Sequence, residues 1–299
     1  MRFNELFSRV ALLSLTWAGS AISAELPAWF IEVPDSIETL LVADTSAAKL
    51  FEYTQNANGT YTLAEYYMSI GQRGVGKARA GDRKTPLGNY FVVDQLDTSR
   101  LDPKYGVTAF PLDYPNVMDR RAGRTGDGIW LHGVLPGGER RPERDTDGCI
   151  ALPNENLADL ATRLELNRTP VLVTRKMRYA SADETESIRS ALLARIAAWR
   201  DALAAGDVID YLSLYAPDFS YRGLDRDEWA AFRAAQLNAA RAIAVDDILI
   251  LLDPEDPELA ITRFEVSVSG SDGNAAVTKR LYWRRFDAGE WLIVAEDNG

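Results

Sequence analysis

Over the first half of the chain, apolar residues come in short runs broken by turn residues. Residues 40–42 (Leu-Leu-Val) and 50–54 are two such runs. Asn56-Ala57-Asn58-Gly59 is a turn signal, and residues 60–68 resume an extended pattern. Residues 90–93 and 129–131 are further short strands near glycines, and 171–174 close the region. The clearest helix here is 154–164, where Leu157, Leu160, Ala161 and Leu164 share a face. The pattern then changes. Leu192, Ile196, Trp199 and Leu203 follow at spacings of four, three and four, the stripe of an amphipathic helix. Residues 207–215 and 229–240 read as two more helices. Strand-like runs follow at 248–252, 261–268, 277–285 and, after the turn Asp287-Ala288-Gly289, at 291–295. Helices first and strands afterwards predict an α+β unit. The chain therefore reads as a mostly-β domain at 25–177, a polar linker at 178–187 and an α+β domain at 188–299.

The first residues fit neither domain. Arg2 and Arg9 flank the start of an apolar stretch at 10–21, followed by the small residues Ser23 and Ala24. This is the form of a secretory signal peptide over residues 1–24, which predicts export to the periplasm or cell envelope. No later run is long and apolar enough to span a bilayer, so no transmembrane anchor is expected after cleavage. The formal charge of -11 and pI near 4.8 speak against nucleic-acid binding, which needs a basic stripe.

The chain has one Cys and one His. It can form no internal disulfide and no Cys/His zinc site, and neither a metal nor an organic cofactor is expected. A thiol attacks as thiolate, and a neighbouring imidazole can take its proton. His132 ends the apparent strand before Gly133, and Cys149 follows Gly148, which permits a tight turn with amides aimed at a developing oxyanion. An activated thiolate would react well below pH 8. From the pair alone, a buried structural Cys and an unrelated surface His is the preferred reading. The glycine-rich run from Gly71 to Lys77 imitates a phosphate loop, but Ala78 stands where Ser or Thr would meet magnesium, so a turn between strands is expected.

Ile129-Trp130-Leu131-His132-Gly133 and, seventeen positions after the His, Cys149 within Thr146-Asp147-Gly148-Cys149-Ile150 resemble the L,D-transpeptidase (YkuD-like) catalytic domain. The Thr85-Pro86-Leu87-Gly88 segment and the segment from Ala109 through Tyr114 to Asn116 are similar to that family as well. The resemblance implies a mostly-β catalytic fold in which Cys149 is the nucleophile and His132 its base. It further implies that the Gly133 carbonyl orients the imidazole and that amides of Asp147, Gly148 and Cys149 stabilise the oxyanion. Thr146, Tyr114 and Arg144 are candidate substrate contacts. Two positions depart from the family: Asp147 stands where many members carry His, and Ala151 where Arg or Asn often binds substrate. The spacer residues Glu139, Arg140, Arg141, Glu143, Arg144 and Asp145 form either a lid whose arginines meet carboxylates or a solvated loop with internal charge pairs.

Residues from about 186 to the end resemble the cone-shaped nuclear transport factor two-like (SnoaL-type) fold, on Ala205-Gly206-Asp207, Tyr211, Tyr215 to Phe219 and Gly289-Glu290-Trp291. Tyr211, Tyr215, Trp229, Tyr282 and Trp283 either line a pocket in that cone or fill its core. The activity these resemblances imply is transpeptidation of peptidoglycan stem peptides through a cysteine thioester, cross-linking them or attaching an amine acceptor. An L,D-carboxypeptidase, or a hydrolase releasing peptidoglycan-linked protein, is the runner-up. A catalytically silent wall-binding module is the alternative of another class. The C-terminal domain would be the place for an envelope protein partner.

Overall fold

The computed structural model describes residues 24–137, 141–236, 242–270 and 273–299. Residues 1–23 of the expected signal peptide and the spacer residues Glu139 and Arg140 lie outside the described residues. Eleven strands come first: β1 (Phe30–Glu32), β2 (Thr39–Asp44), β3 (Lys49–Gln55), β4 (Tyr61–Tyr67), β5 (Ile70–Gly71), β6 (Gly88–Phe91), β7 (Ala109–Pro111), β8 (Trp130–His132), β9 (Arg144–Thr146), β10 (Ile150–Ala151) and β11 (Pro170–Thr174). Two short helices interrupt them, α1 (Val117–Arg121) and α2 (Asn154–Leu160). The second unit runs α3 (Ala182–Ala205), α4 (Val208–Ser213), β12 (Ser220–Tyr221), β13 (Leu224–Asp225), α5 (Arg226–Ala234), β14 (Ala242–Leu252), β15 (Leu259–Gly270), β16 (Gly273–Arg285) and β17 (Trp291–Asp297).

The larger sheet of the first unit has the order β4-β3-β2-β11-β6, with β2 and β11 parallel. Every residue of β2 is buried, so both faces of this sheet are covered at its centre. Side chains alternate across a strand, and the two faces pack into different cores. Leu41, Ala43, Leu50, Tyr90, Val171 and Val173 face the core that also holds Leu131 and Ile150. Leu40, Val42, Tyr53, Phe91 and Leu172 join instead the core formed with the second unit.

The second unit is a five-stranded antiparallel sheet in the order β1-β14-β15-β16-β17. Helix α3 packs on it through Leu192, Ile196, Trp199 and Leu203, the four residues of the sequence stripe. Ser181 caps its first turn by accepting from the Glu184 amide, and Gly206 ends it in the left-handed conformation at φ 70°. Strand β1 pairs with β14, Phe30 opposite Leu251. By strand pairing residues 30–32 thus belong with the C-terminal sheet, whereas the sequence pattern groups them with the first domain. The five aromatics expected in the cone are all buried. Tyr215 is tied into the core by Trp199 Nε1, which donates to its hydroxyl at 3.1 Å, and by its own bond to Glu296 at 2.9 Å. A cavity of about 210 Å³ remains, and of those five aromatics only Tyr211 lines it.

Polar contacts complete the junction between the units. Arg280 meets Asp113 at 2.6 Å, Arg175 meets Glu255 at 2.8 Å, and Asn89 Nδ2 donates to the Leu252 carbonyl at 2.9 Å.

Candidate active site

A small three-stranded sheet, β10-β8-β7, holds His132, and Cys149 directly precedes its strand β10. His132 is the last residue of its central strand. Its neighbours across the ladders are Ala109 on one side and Ala151 on the other. In-register side chains share a face, so two small neighbours leave room for an imidazole between them. Ala151 is buried and also exchanges backbone hydrogen bonds with Ser69, both at 2.9 Å. The position where the family often carries Arg or Asn is here a packed strand residue. Cys149 lies two residues before Ala151, the spacing that returns a side chain to the same face.

The imidazole is held from two directions. His132 Nδ1 lies 2.5 Å from the Gly133 carbonyl. A carbonyl only accepts, so Nδ1 carries the proton and Nε2 is left as the basic nitrogen. Tyr105 presents an edge contact to the imidazole, with centroids 5.2 Å apart and planes at 82°, and its ring also meets Trp130 at 4.7 Å. The Gly133 carbonyl is itself fixed by Asn154. Asn154 Oδ1 accepts from the amides of Val107 at 3.2 Å and Val134 at 3.0 Å, and Nδ2 donates to the Val134 carbonyl at 2.8 Å. The packing is close: a Cβ added at Gly133 or at Gly106 would stand 2.2 Å from Asn154 Oδ1.

The nucleophile loop is shaped by Thr146 and Gly148. Thr146 is buried, its hydroxyl donating to the Cys149 carbonyl at 2.7 Å and accepting from the Gly148 amide at 3.1 Å. Gly148 sits at φ 130°, and a Cβ there would come within 2.8 Å of the Lys84 carbonyl. The Gly148 amide is therefore committed inside the loop. Oxyanion donors would have to come from the amides of Asp147 and Cys149. Asp147 is exposed and pairs with Arg83 at 3.5 Å.

Electrostatics keep the resting pair neutral. Burial lowers the His132 pKa to about 4; the Gly133 hydrogen bond opposes this, while the charges of Arg141 and Lys104 add to it. Burial raises the Cys149 thiol above its ordinary value, and Asp147 raises it further. A Trp130 backbone hydrogen bond and the charges of Lys104 and Lys77 pull the other way. The thiol lies 3.3 Å from the Gly128 carbonyl, an acceptor for its proton. A thiolate poised well below pH 8, the sequence-based expectation, is not what this environment favours. At rest, therefore, Cys149 is a thiol and His132 a neutral imidazole.

The other candidates lie apart from this pair. Tyr114 is buried, its hydroxyl donating to the Thr125 carbonyl at 3.2 Å, and burial pushes its pKa up to about 12. Arg144 is exposed on β9, paired in register with Ile70, and no hydrogen bond or ion pair ties it to Cys149 or His132. In the described part of the spacer, Arg141 bonds Asp145 through Nε at 2.8 Å, an internal charge pair of the solvated-loop kind. The imitation phosphate loop is a turn whose Lys77 is buried and bonded to Asp82 at 3.0 Å. Among the described residues no group of His, Cys, Asp and Glu is placed to hold a metal ion. Tyr105, Lys104, Asn154 and Arg83 were not legible as site residues, since no motif or spacing in the sequence singles them out.

Residues 38–173 match the family model described as YkuD, L,D-transpeptidase catalytic domain, and residues 191–297 the one described as Cds6 C-terminal NTF2-like domain. This chain carries an L,D-transpeptidase-family catalytic domain followed by an NTF2-like domain. The helical cell shape determining protein Pgp2 of Campylobacter jejuni is similar across both domains. It is 27% identical, with a TM-score of 0.73 over 87% of this chain and 91% of that one. Bd1075 of Bdellovibrio bacteriovorus shares the fold, with a TM-score of 0.74 at 23% identity over 92% and 98% of the two chains. None of the curated proteins matches the chain. The comparisons make the L,D-transpeptidase domain that of a cell-wall enzyme family. No helix among the described residues is long and apolar enough to cross a membrane.

Proposed function

We propose that this protein is an exported cysteine L,D-transpeptidase acting on peptidoglycan stem peptides. The observation that carries the proposal is the commitment of His132 Nδ1 to the Gly133 carbonyl, which leaves Nε2 as a base on the strand beside the one that Cys149 precedes. Cys149 Sγ attacks the carbonyl of the residue before a terminal D-amino acid, and His132 Nε2 takes the thiol proton. Amides of Asp147 and Cys149 carry the oxyanion. The C–N bond then breaks, and His132 returns the proton to the departing amine, leaving a thioester on Cys149. An acceptor amine resolves the thioester into a new peptide bond, and water in its place yields a carboxylate. Catalysis in the periplasm or cell envelope follows from the substrate and from the signal-like N-terminus. The likeness to Pgp2 is consistent with a role in cell shape. The comparisons give no support to an envelope protein partner for the C-terminal domain.

The test is incubation of the mature chain with a tetrapeptide muropeptide, read by mass spectrometry beside Cys149→Ala. Cross-linked dimers that the variant does not form are expected. Loss of the terminal residue without dimers would make the enzyme a carboxypeptidase. If neither product nor a thioester on Cys149 forms, the assignment to this substrate is wrong.

A further inference from the structure

An enzyme that removes only a terminal residue needs a group that recognises chain ends. In a stem peptide the leaving D-amino acid has a free carboxylate three bonds from the scissile carbonyl carbon, so the natural recogniser is a cation close to the thiol and the imidazole. Three cations are near enough for their charge to be felt at one or both. Lys77 is buried and bonded to Asp82 at 3.0 Å. Arg141 is bound by Asp145 twice, through Nε to the carboxylate at 2.8 Å and through a second guanidinium nitrogen to the backbone carbonyl at 2.7 Å. Lys104 differs from both. Its side chain is half exposed, and its partner Asp102 stands 3.8 Å away with its own side chain 58% exposed. An exposed pair of that kind is worth little and exchanges readily. Lys104 is also the cation common to the surroundings of both Cys149 and His132.

Its placement is built. Lys104 and Tyr105 lie on a single 3-10 turn, Pro103–Tyr105, which Asp102 caps by accepting from the Lys104 amide at 3.0 Å. The Lys104 ammonium stands 5.1 Å from the centre of the Tyr105 ring, which in turn makes the edge contact with His132. The ammonium and the imidazole thus each stand about 5 Å from the centre of one ring, at 5.1 and 5.2 Å, and that ring also meets Trp130.

We infer that Lys104 binds the terminal carboxylate of the leaving D-amino acid and so confines the enzyme to peptide ends. The inference rests on the transpeptidase reading above and deepens it. On substrate binding the Lys104 ammonium leaves Asp102 and donates to the substrate carboxylate, while Tyr105 and Trp130 flank the departing residue.

The experiment compares a tetrapeptide ending in a free carboxylate with the same peptide ending in a carboxamide, using wild type, Lys104→Met and Lys104→Arg. Release of the terminal residue is followed by mass spectrometry. Wild type is expected to favour the free acid by about tenfold, the size of one charge-assisted hydrogen bond at a partly exposed site. Lys104→Met should lower kcat/KM for the free acid until the acid-over-amide ratio is close to one, and Lys104→Arg should keep most of the preference. If Lys104→Met slows both peptides equally, or neither, Lys104 does not read the carboxylate. Calorimetric binding of both peptides to Cys149→Ala, with and without Lys104→Met, separates this from failure of the chemistry. An acid-over-amide preference that Lys104→Met removes upholds the inference even without turnover. Equal binding of the two peptides overturns it.

Discussion

In the proposed mechanism His132 accepts a proton, yet its surroundings hold it neutral down to about pH 4 against an ordinary value of 6.5. That difference is also a statement about stability. In the unfolded chain the imidazole takes up its proton near pH 6.5, whereas in the fold it stays neutral until about pH 4. Between those values the unfolded state binds the extra proton, so stability falls as the pH drops through the window and levels off, for this group, below it. Replacing His132 with Gln removes this contribution. Denaturant midpoints at pH 7, 5.5 and 4.5 should therefore fall less steeply for His132→Gln than for wild type. Parallel curves would mean that the imidazole is not held neutral. Cys149 and His132 stand out in the sequence because each is the single residue of its type and each adjoins a glycine, while the roles proposed for them rest on the resemblance of the surrounding motif. Their neutral resting state was not, because it comes from burial by residues distant in the chain.

At the scale of elements, the start of α2 does something its sequence does not announce. An Asn near a helix start ordinarily reads as a cap. Here Pro153 occupies the cap position without a side-chain bond, and Asn154 turns back to the loops at Val107 and Val134, which are 47 and 20 positions away. It closes around Gly106 and Gly133, so the carbonyl that orients His132 and the turn that carries Tyr105 depend on one amide side chain. Asn154→Ala leaves the Val134 amide without its partner, and Val134 is buried. A loss of about 1–3 kcal/mol in stability is expected, read by denaturant unfolding. A fall in kcat should accompany it, because the base loses its place. An unchanged kcat would show that the Gly133 carbonyl is held without Asn154. The long strands, the helix stripe of α3 and the glycine turn at Gly148 were readable from period and residue type. The two-residue strands β5 and β10 and the three-residue β1, β7 and β9 were not, since they are too short for any period to emerge.

For the molecule as a whole, the sequence separates two domains that the fold joins through one core. Leu40, Val42, Tyr53, Phe91 and Leu172 are buried in the same cluster as Leu251, Ile261, Trp283 and Ile293, and β1, within the span read as the first domain, pairs into the second sheet. The change of composition near residue 180 is real, but it marks a change of architecture and not a break in packing. At the junction Arg280 bonds Asp113 at 2.6 Å and Asp297 at 2.5 and 3.1 Å, with little of its side chain exposed. A shared core of this kind makes folding cooperative across the domain boundary, so scanning calorimetry of the mature chain should give a single transition. Arg280→Ala would leave the Asp113 carboxylate buried and unpaired, a change that costs about 3–5 kcal/mol. It should lower that one transition as a unit rather than split it. Two resolved transitions in the wild type, or a shift confined to one of them in the variant, would show that the domains fold independently and that the larger sheet of the first unit does not depend on the cone for the cover of its second face.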